Sequence, residues 1–163
     1  MDREVVIILL GAAHGYKYRI FKKDKGKNKM IYNLMEYLRL IYTTDKFYVN
    51  WSPAESEYYI QLIELDGTEN TLYQTDTVQI FVKQKDTPTA KYKSEEIYAR
   101  LIGTSSWGFN QNLLLPAVAV SSELTYPAVN IISIMAVQKP TFSRIDDNND
   151  IEYTMQLTFS YKN

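Results

Sequence analysis

Between Thr75 and Gly103 the hydrophobic pattern of the chain changes period once. Val78, Ile80 and Val82 alternate with Gln79 and Lys83, the two-residue repeat of a strand with one apolar face. The repeat then lengthens: Ala90, Ile97, Tyr98, Leu101 and Ile102 fall on one side of a helix, Thr87 suits its cap and Pro88 its first turn. Gly103 suits a left-handed stop. The stretch predicts strand, short turn and amphipathic helix. Val78, Ile80, Val82, Ile97 and Leu101 are expected in the core, with the polar positions Gln79, Lys83 and Lys85 free to meet a neighbour.

The pattern predicts further elements on both sides. Ile31, Leu34, Met35, Leu38, Ile41 and Tyr42 have helical spacing over residues 30–42. Residues 46–51 and 58–65 read as strands, the second closed by a turn at Asp66-Gly67. Beyond Gly103, residues 113–120 are apolar but broken by Pro116, which predicts an irregular or edge strand. Residues 129–137 read as a better strand that Pro140 ends, with 142–145 continuing the edge. The clearest strand is the last: Ile151, Tyr153, Met155, Leu157, Phe159 and Tyr161 face one way, and Glu152, Thr154, Gln156, Thr158 and Ser160 the other. Segregated helices and mostly antiparallel strands predict an α+β fold, with two amphipathic helices on one face of the sheet and a long C-terminal strand.

Residues 1–29 read as an extension of a domain at 30–163. Their run of six apolar residues from Val5 to Leu10 is too short to span a bilayer, and the start Asp2-Arg3-Glu4 does not suit a signal peptide. A buried strand, or an arm laid on a neighbour, is expected there, followed by a basic linker over 22–29.

Charge sharpens this division. Residues 1–29 hold eight basic and three acidic residues, a net of +5, and the remainder holds ten and sixteen, a net of −6. An acidic body does not suit a free-standing nucleic-acid binder. The absence of cysteine excludes disulfides, thiolate catalysis and thiolate zinc sites. Fourteen tyrosines fit a β-rich fold with half-buried positions.

Candidate chemistry is sparse. The single histidine, His14, lies in the extension. Asp146-Asp147-Asn148-Asn149-Asp150 matches the opening of a calcium loop, but Ile151 stands where that loop needs Gly and Leu157 where it needs Glu, so a solvated hairpin turn is the better reading. Glu95 and Glu96, beside Lys93 and Arg100, read as a salt-bridged outer helix face. No phosphate loop, dinucleotide fingerprint or nucleophile elbow is present. An enzyme would need a pocket with perturbed acids such as Glu55, Glu57 or Asp146, and their spacing does not support one. No catalytic residue, cofactor or metal is therefore expected.

One resemblance is carried by two segments. The stretch VQIFVKQKDTPTAKYKSEEIYARLIG resembles the central pattern of bacteriophage tail terminator and related minor capsid or head-to-tail joining proteins: a strand of type V-Q-I-x-V-R, a short turn and a helix ending near Leu-x-Gly. Here the pattern falls on Val78, Gln79, Ile80, Val82, Lys83, Ala90, Ile97, Leu101 and Gly103, with Lys83 in place of the Arg. The tail FSRIDDNNDIEYTMQLTFSYKN is similar to the close of those proteins and of neck terminators, where an Arg and an acidic turn precede a long final strand. The resemblance implies a virion protein without enzymatic activity, made in the bacterial cytoplasm and placed at the neck–tail junction. It would form a homo-oligomeric ring, commonly a hexamer, that ends the tail tube and meets the head or neck connector, while DNA passes through its channel without specific binding. Expected contact residues are Lys22, Lys23, Lys25, Lys27, Gln79, Lys83, Lys85, Trp107, Arg144, Asp146, Asp147 and Asp150. The competing reading is a β-rich carbohydrate or cell-surface module with Trp51, Trp107 and tyrosines as stacking platforms; another neck ring of similar fold is a third.

Overall fold

The computed structural model describes residues 5–8, 17–21, 30–50, 57–69, 72–103, 113–119 and 125–162. In chain order these form β1 (Val5–Ile8), β2 (Lys17–Phe21), α1 (Met30–Ile41), β3 (Lys46–Val49), β4 (Tyr59–Glu69), β5 (Gln74–Gln84) and α2 (Thr87–Ile102). They continue with β6 (Leu113–Leu115), β7 (Val118–Ala119), β8 (Thr125–Tyr126), β9 (Val129–Ile145) and β10 (Ile151–Lys162). Eight strands form one sheet in the order β1-β2-β3-β4-β5-β10-β9-β6, and β7 and β8 form a separate pair. All pairings are antiparallel except β2 with β3 and β3 with β4. The fold is α+β, and its long last strand lies inside the sheet between β5 and β9.

Alternation along the strands sorts the two faces. Ile60 and Leu62 of β4, Val78, Ile80 and Val82 of β5, and Met155, Leu157, Phe159 and Tyr161 of β10 share one face and are buried in a single core. Both helices supply the other half of that core, through Ile31, Leu34, Met35 and Leu38 of α1 and Ile97, Leu101 and Ile102 of α2. Burying an aliphatic side chain of this size contributes about 1.5–3 kcal/mol, so the central strands and the two helices hold most of the hydrophobic stabilisation.

Helix α1 is buried over more than its expected stripe, since Met30, Tyr32 and Asn33 are also enclosed. The region around β6 to β8 covers this second side: Tyr32 stacks on Tyr126 with ring centroids 5.3 Å apart, and Asn33 Nδ2 donates to the carbonyls of Pro116 and Pro127 at 2.7 and 2.8 Å. Helix α2 begins at Thr87, the residue expected to cap it. Asp86, not Thr87, caps it, its carboxylate accepting from the Thr89 N–H at 2.9 Å. At the other end Gly103, with φ of 74°, closes the helix by donating to the Ala99 carbonyl. The outer face pairs Lys91 with Glu95 and Arg100 with Glu96, but Lys93 reaches Asp45 instead, at 2.6 Å, and ties α2 to the turn before β3.

Two expected strand ends are absent. Asp66-Gly67 makes no turn; β4 passes through it to Glu69, with a register shift between Glu64 and Asp66. Gly67 serves close approach here, because a Cβ at this position would meet Asp76 Oδ1 at 2.5 Å, and Asp76 Oδ2 accepts from the Tyr161 hydroxyl at 2.6 Å. Pro140 likewise does not end β9, which runs 17 residues from Val129 to Ile145. The strand absorbs Pro140 at a place where its register against β10 is irregular, a location that tolerates a missing N–H.

Candidate functional site

The sheet face away from the helices carries a row of polar residues across four strands. Tyr59 of β4 lies opposite Lys83 of β5, Lys83 opposite Glu152 of β10, and Glu152 opposite Arg144 of β9. Strand alternation puts these side chains on one face, and the turn 146–150 brings two more acids to them. Lys83 is only 2% exposed and forms ion pairs with Asp146 and, at 3.5 Å, with Asp150. Its ammonium also lies 5.8 Å from the centre of the Tyr59 ring. Glu152, also buried, accepts from the Tyr59 hydroxyl at 2.7 Å, from Ser143 at 3.1 Å and from Arg144 Nε at 3.3 Å.

The turn is built around one carboxylate. Asp146 Oδ1 accepts from the N–H groups of Asn148 and Asp150, both at 2.9 Å, while Oδ2 faces Lys83. Asn149 takes the left-handed conformation, φ 62°, that lets the chain reverse, a conformation Asn tolerates well. Lys83 therefore stands where a metal-loop reading would put a cation, and it draws the Asp146 carboxyl below the ordinary carboxylate range. Burial pushes the Tyr59 phenol well up, reinforced by its bond to Glu152. Tyr48, whose ring meets that of Tyr59 edge to face at 6.0 Å, is raised in the same way by burial and by its hydrogen bond to Glu57. Each charge in the cluster is met by an opposite one. The arrangement neutralises charge and locks the end of β5 to the turn between β9 and β10.

The expected contact residues thus separate. Lys83 and Asp150 are buried and paired with each other, which makes them internal anchors of the subunit; register alone could not show that the acidic turn folds over the Lys83 side of the sheet. Asp146 belongs to the same anchor, and Gln79 is half-buried, with Nε2 donating to Thr154 at 3.1 Å. Lys85 and Asp147 are exposed, and Arg144 is exposed while holding Glu152. Lys22, Lys23, Lys25, Lys27 and Trp107 lie outside the described residues, as do His14, Trp51 and Glu55.

A second feature was legible in sequence only at its far end, where residues 142–145 are expected to continue the edge. Strand β9 carries exposed Ile132, Met135, Val137, Phe142 and Ile145 along the margin of the sheet. In sequence residues 131–137 are apolar except for Ser133, so alternation does not sort the exposed positions from the buried ones there. The signal that marked them was Lys139-Pro140, a pair suited to an edge strand. No family model matches this chain, and no curated protein matches it by sequence.

Proposed function

We propose that the chain is a structural subunit of a bacteriophage particle, assembling as a ring at the head-proximal end of the tail, where it ends the tail tube and joins it to the head or neck. The reading starts from the resemblance of two segments, and one observation supports it above the others: those segments are coupled in space. Strand β5 and the β9–β10 turn, one from each segment, are joined through Lys83, Asp146 and Asp150, and β5 pairs directly with β10 over the length of both strands. The basic residue that closes the strand of the first pattern thus holds the acidic turn of the second. A core sealed on one face by two helices, with a marginal strand whose outer edge is largely open among the described residues, suits a subunit that works by contact.

The partners of such a ring are further copies of the chain, six in the commonest arrangement, with tail-tube and neck proteins on its two sides and DNA passing through the channel. Mass measurement of the purified chain in solution, with electron microscopy of the oligomer, tests the reading. A closed ring with a central channel is expected. A monomer at every concentration, and no ring of this chain in particles that contain it, overturns it.

A further inference from the structure

Among the described residues, strand β9 leaves most of one backbone edge without a partner. Strand β6 covers Val129, Asn130 and Ile131, and among the described residues nothing pairs with the outer edge from Ile132 to Ile145. That edge is not uniform. Against β10 its register is regular from Ser133 to Ala136 and shifts on both sides of that run. Lower down, Pro140 has no N–H to offer and the Lys139 carbonyl already accepts from the Thr141 hydroxyl at 2.9 Å, which blunts the lower half against pairing. What remains is a regular four-residue run, with exposed Met135 inside it and exposed Ile132 and Val137 at its two ends.

The opposite edge of the sheet is β1, four residues long and apolar in sequence at each position. Among the described strands its one partner is β2, and β2 joins the rest of the sheet through two parallel pairs, Lys17 with Tyr48 and Tyr18 with Val49. A two-stranded ribbon is marginal by itself, and a strand apolar throughout suits cover on both faces. Its polarity follows from the pairings. Strand β1 is antiparallel to β2, which runs with β3 and β4; β5 is antiparallel to β4, β10 to β5 and β9 to β10, so β1 and β9 run the same way. A second copy set beside the first in the same orientation brings its β1 to the open edge of β9 as a parallel strand. Each copy then uses two different surfaces, the arrangement that a rotation can close into a ring.

We propose that β1 of one copy adds to Ser133–Ala136 of β9 in the next, continuing the sheet from subunit to subunit. The inference rests on the ring reading and names the surface that builds it. The two edges match in length, direction and apolar character, and they are presented once each per copy. The backbone supplies the hydrogen bonds of strand addition, and the apolar side chains beside it supply the burial.

The chain contains no cysteine, so introduced thiols are the only ones present. Two full-length double variants, Val6→Cys with Met135→Cys and Ile7→Cys with Met135→Cys, place a thiol on either face of β1, because successive strand residues face opposite ways. On oxidation one of them should give a ladder of covalent multimers that collapses under reductant, while each single variant gives none. In unaltered protein, amide exchange over 133–136 should slow at least tenfold when the oligomer forms. Efficient dimers from Met135→Cys alone would reveal a two-fold β9 contact and overturn the proposal. A ring by mass in which neither pair cross-links and exchange at 133–136 is unchanged overturns this surface but leaves the ring intact. A chain that stays monomeric in solution and in particles overturns both.

Discussion

Lys83 and Asp146, far apart in sequence, form a buried ion pair that fastens the end of β5 to the turn between β9 and β10. Asp150 stands on the other side of the same ammonium. Removing the cation leaves two neighbouring carboxylates without the counter-charge they share, which is destabilising. Lys83→Ala is therefore expected to lower the free energy of unfolding by clearly more than the roughly 0.5 kcal/mol of an ordinary surface substitution, read from urea denaturation of the variant and parent. A loss within the scatter of ordinary surface substitutions would mean that the pair is solvated and does not anchor the turn.

The same pair makes acid stability testable. Lys83 and the turn amides hold the Asp146 carboxyl below its unfolded value, so its contribution is present above the ordinary carboxylate pKa, about 4, and is lost as pH falls through the depressed native value. Asp146→Asn keeps the shape and removes the charge. The difference in melting temperature between parent and variant should be largest near neutrality and should close as the pH is lowered below about 4. A difference that stays constant across this range would assign the effect to packing or hydrogen bonding rather than to charge.

The Lys83 cluster also marks where sequence reading reaches its limit. Periodicity located both helices, the strands β5 and β10, and the five core residues Val78, Ile80, Val82, Ile97 and Leu101, all of which are fully enclosed. It worked there because one-sided burial imposes a period of two on a strand and of 3.6 on a helix. Local signals did less well where a long-range contact overrides them. Asp-Gly at 66–67 is good turn chemistry, yet the pairing of β4 with β5 carries the strand through it, since Gly67 makes room for Asp76. Pro140 is a strand breaker except at an edge or irregular pairing, and which strand would lie beside it depends on topology. Lys83 looked exposed because its own strand alternates correctly. The turn that covers it lies more than sixty residues further along the chain.

Asn33 supplies a prediction about the region that covers α1. Fully buried, it donates both amide hydrogens to the carbonyls of Pro116 and Pro127, holding the segments beside β6 and β8 onto the helix. Asn33→Ala leaves two carbonyls without their donor and opens a small void, at a cost of about 1–3 kcal/mol. The loss should be local in its first effect. Hydrogen exchange of the amides in β6 and β7 is expected to accelerate before that of β5 and β10 does, and equal acceleration everywhere would mean that Asn33 contributes only to global stability.

High pH should unfold this protein through a small set of tyrosines. Tyr42, Tyr48 and Tyr59 all have raised phenol pKa values, Tyr42 to about 12, in each case chiefly through burial. A neighbouring carboxylate adds to the shift: Glu96 for Tyr42, Glu57 for Tyr48 and Glu152 for Tyr59. In the unfolded chain these phenols ionise near about 10, while the native protein keeps them protonated. Unfolding above that pH therefore releases protons, and stability that is complete below about 10 falls as the pH rises toward the native values. The melting temperature should decline from about pH 10 upward, and phenolate absorbance at 25 °C should show a group of tyrosines that ionise only when the fold is lost. Tyr59→Phe removes one of them and should make the decline shallower, though it starts from a lower stability at neutral pH because Glu152 loses its hydroxyl donor. Ionisation of all fourteen tyrosines near pH 10 in a chain that remains folded would place these three phenols in water and refute their burial.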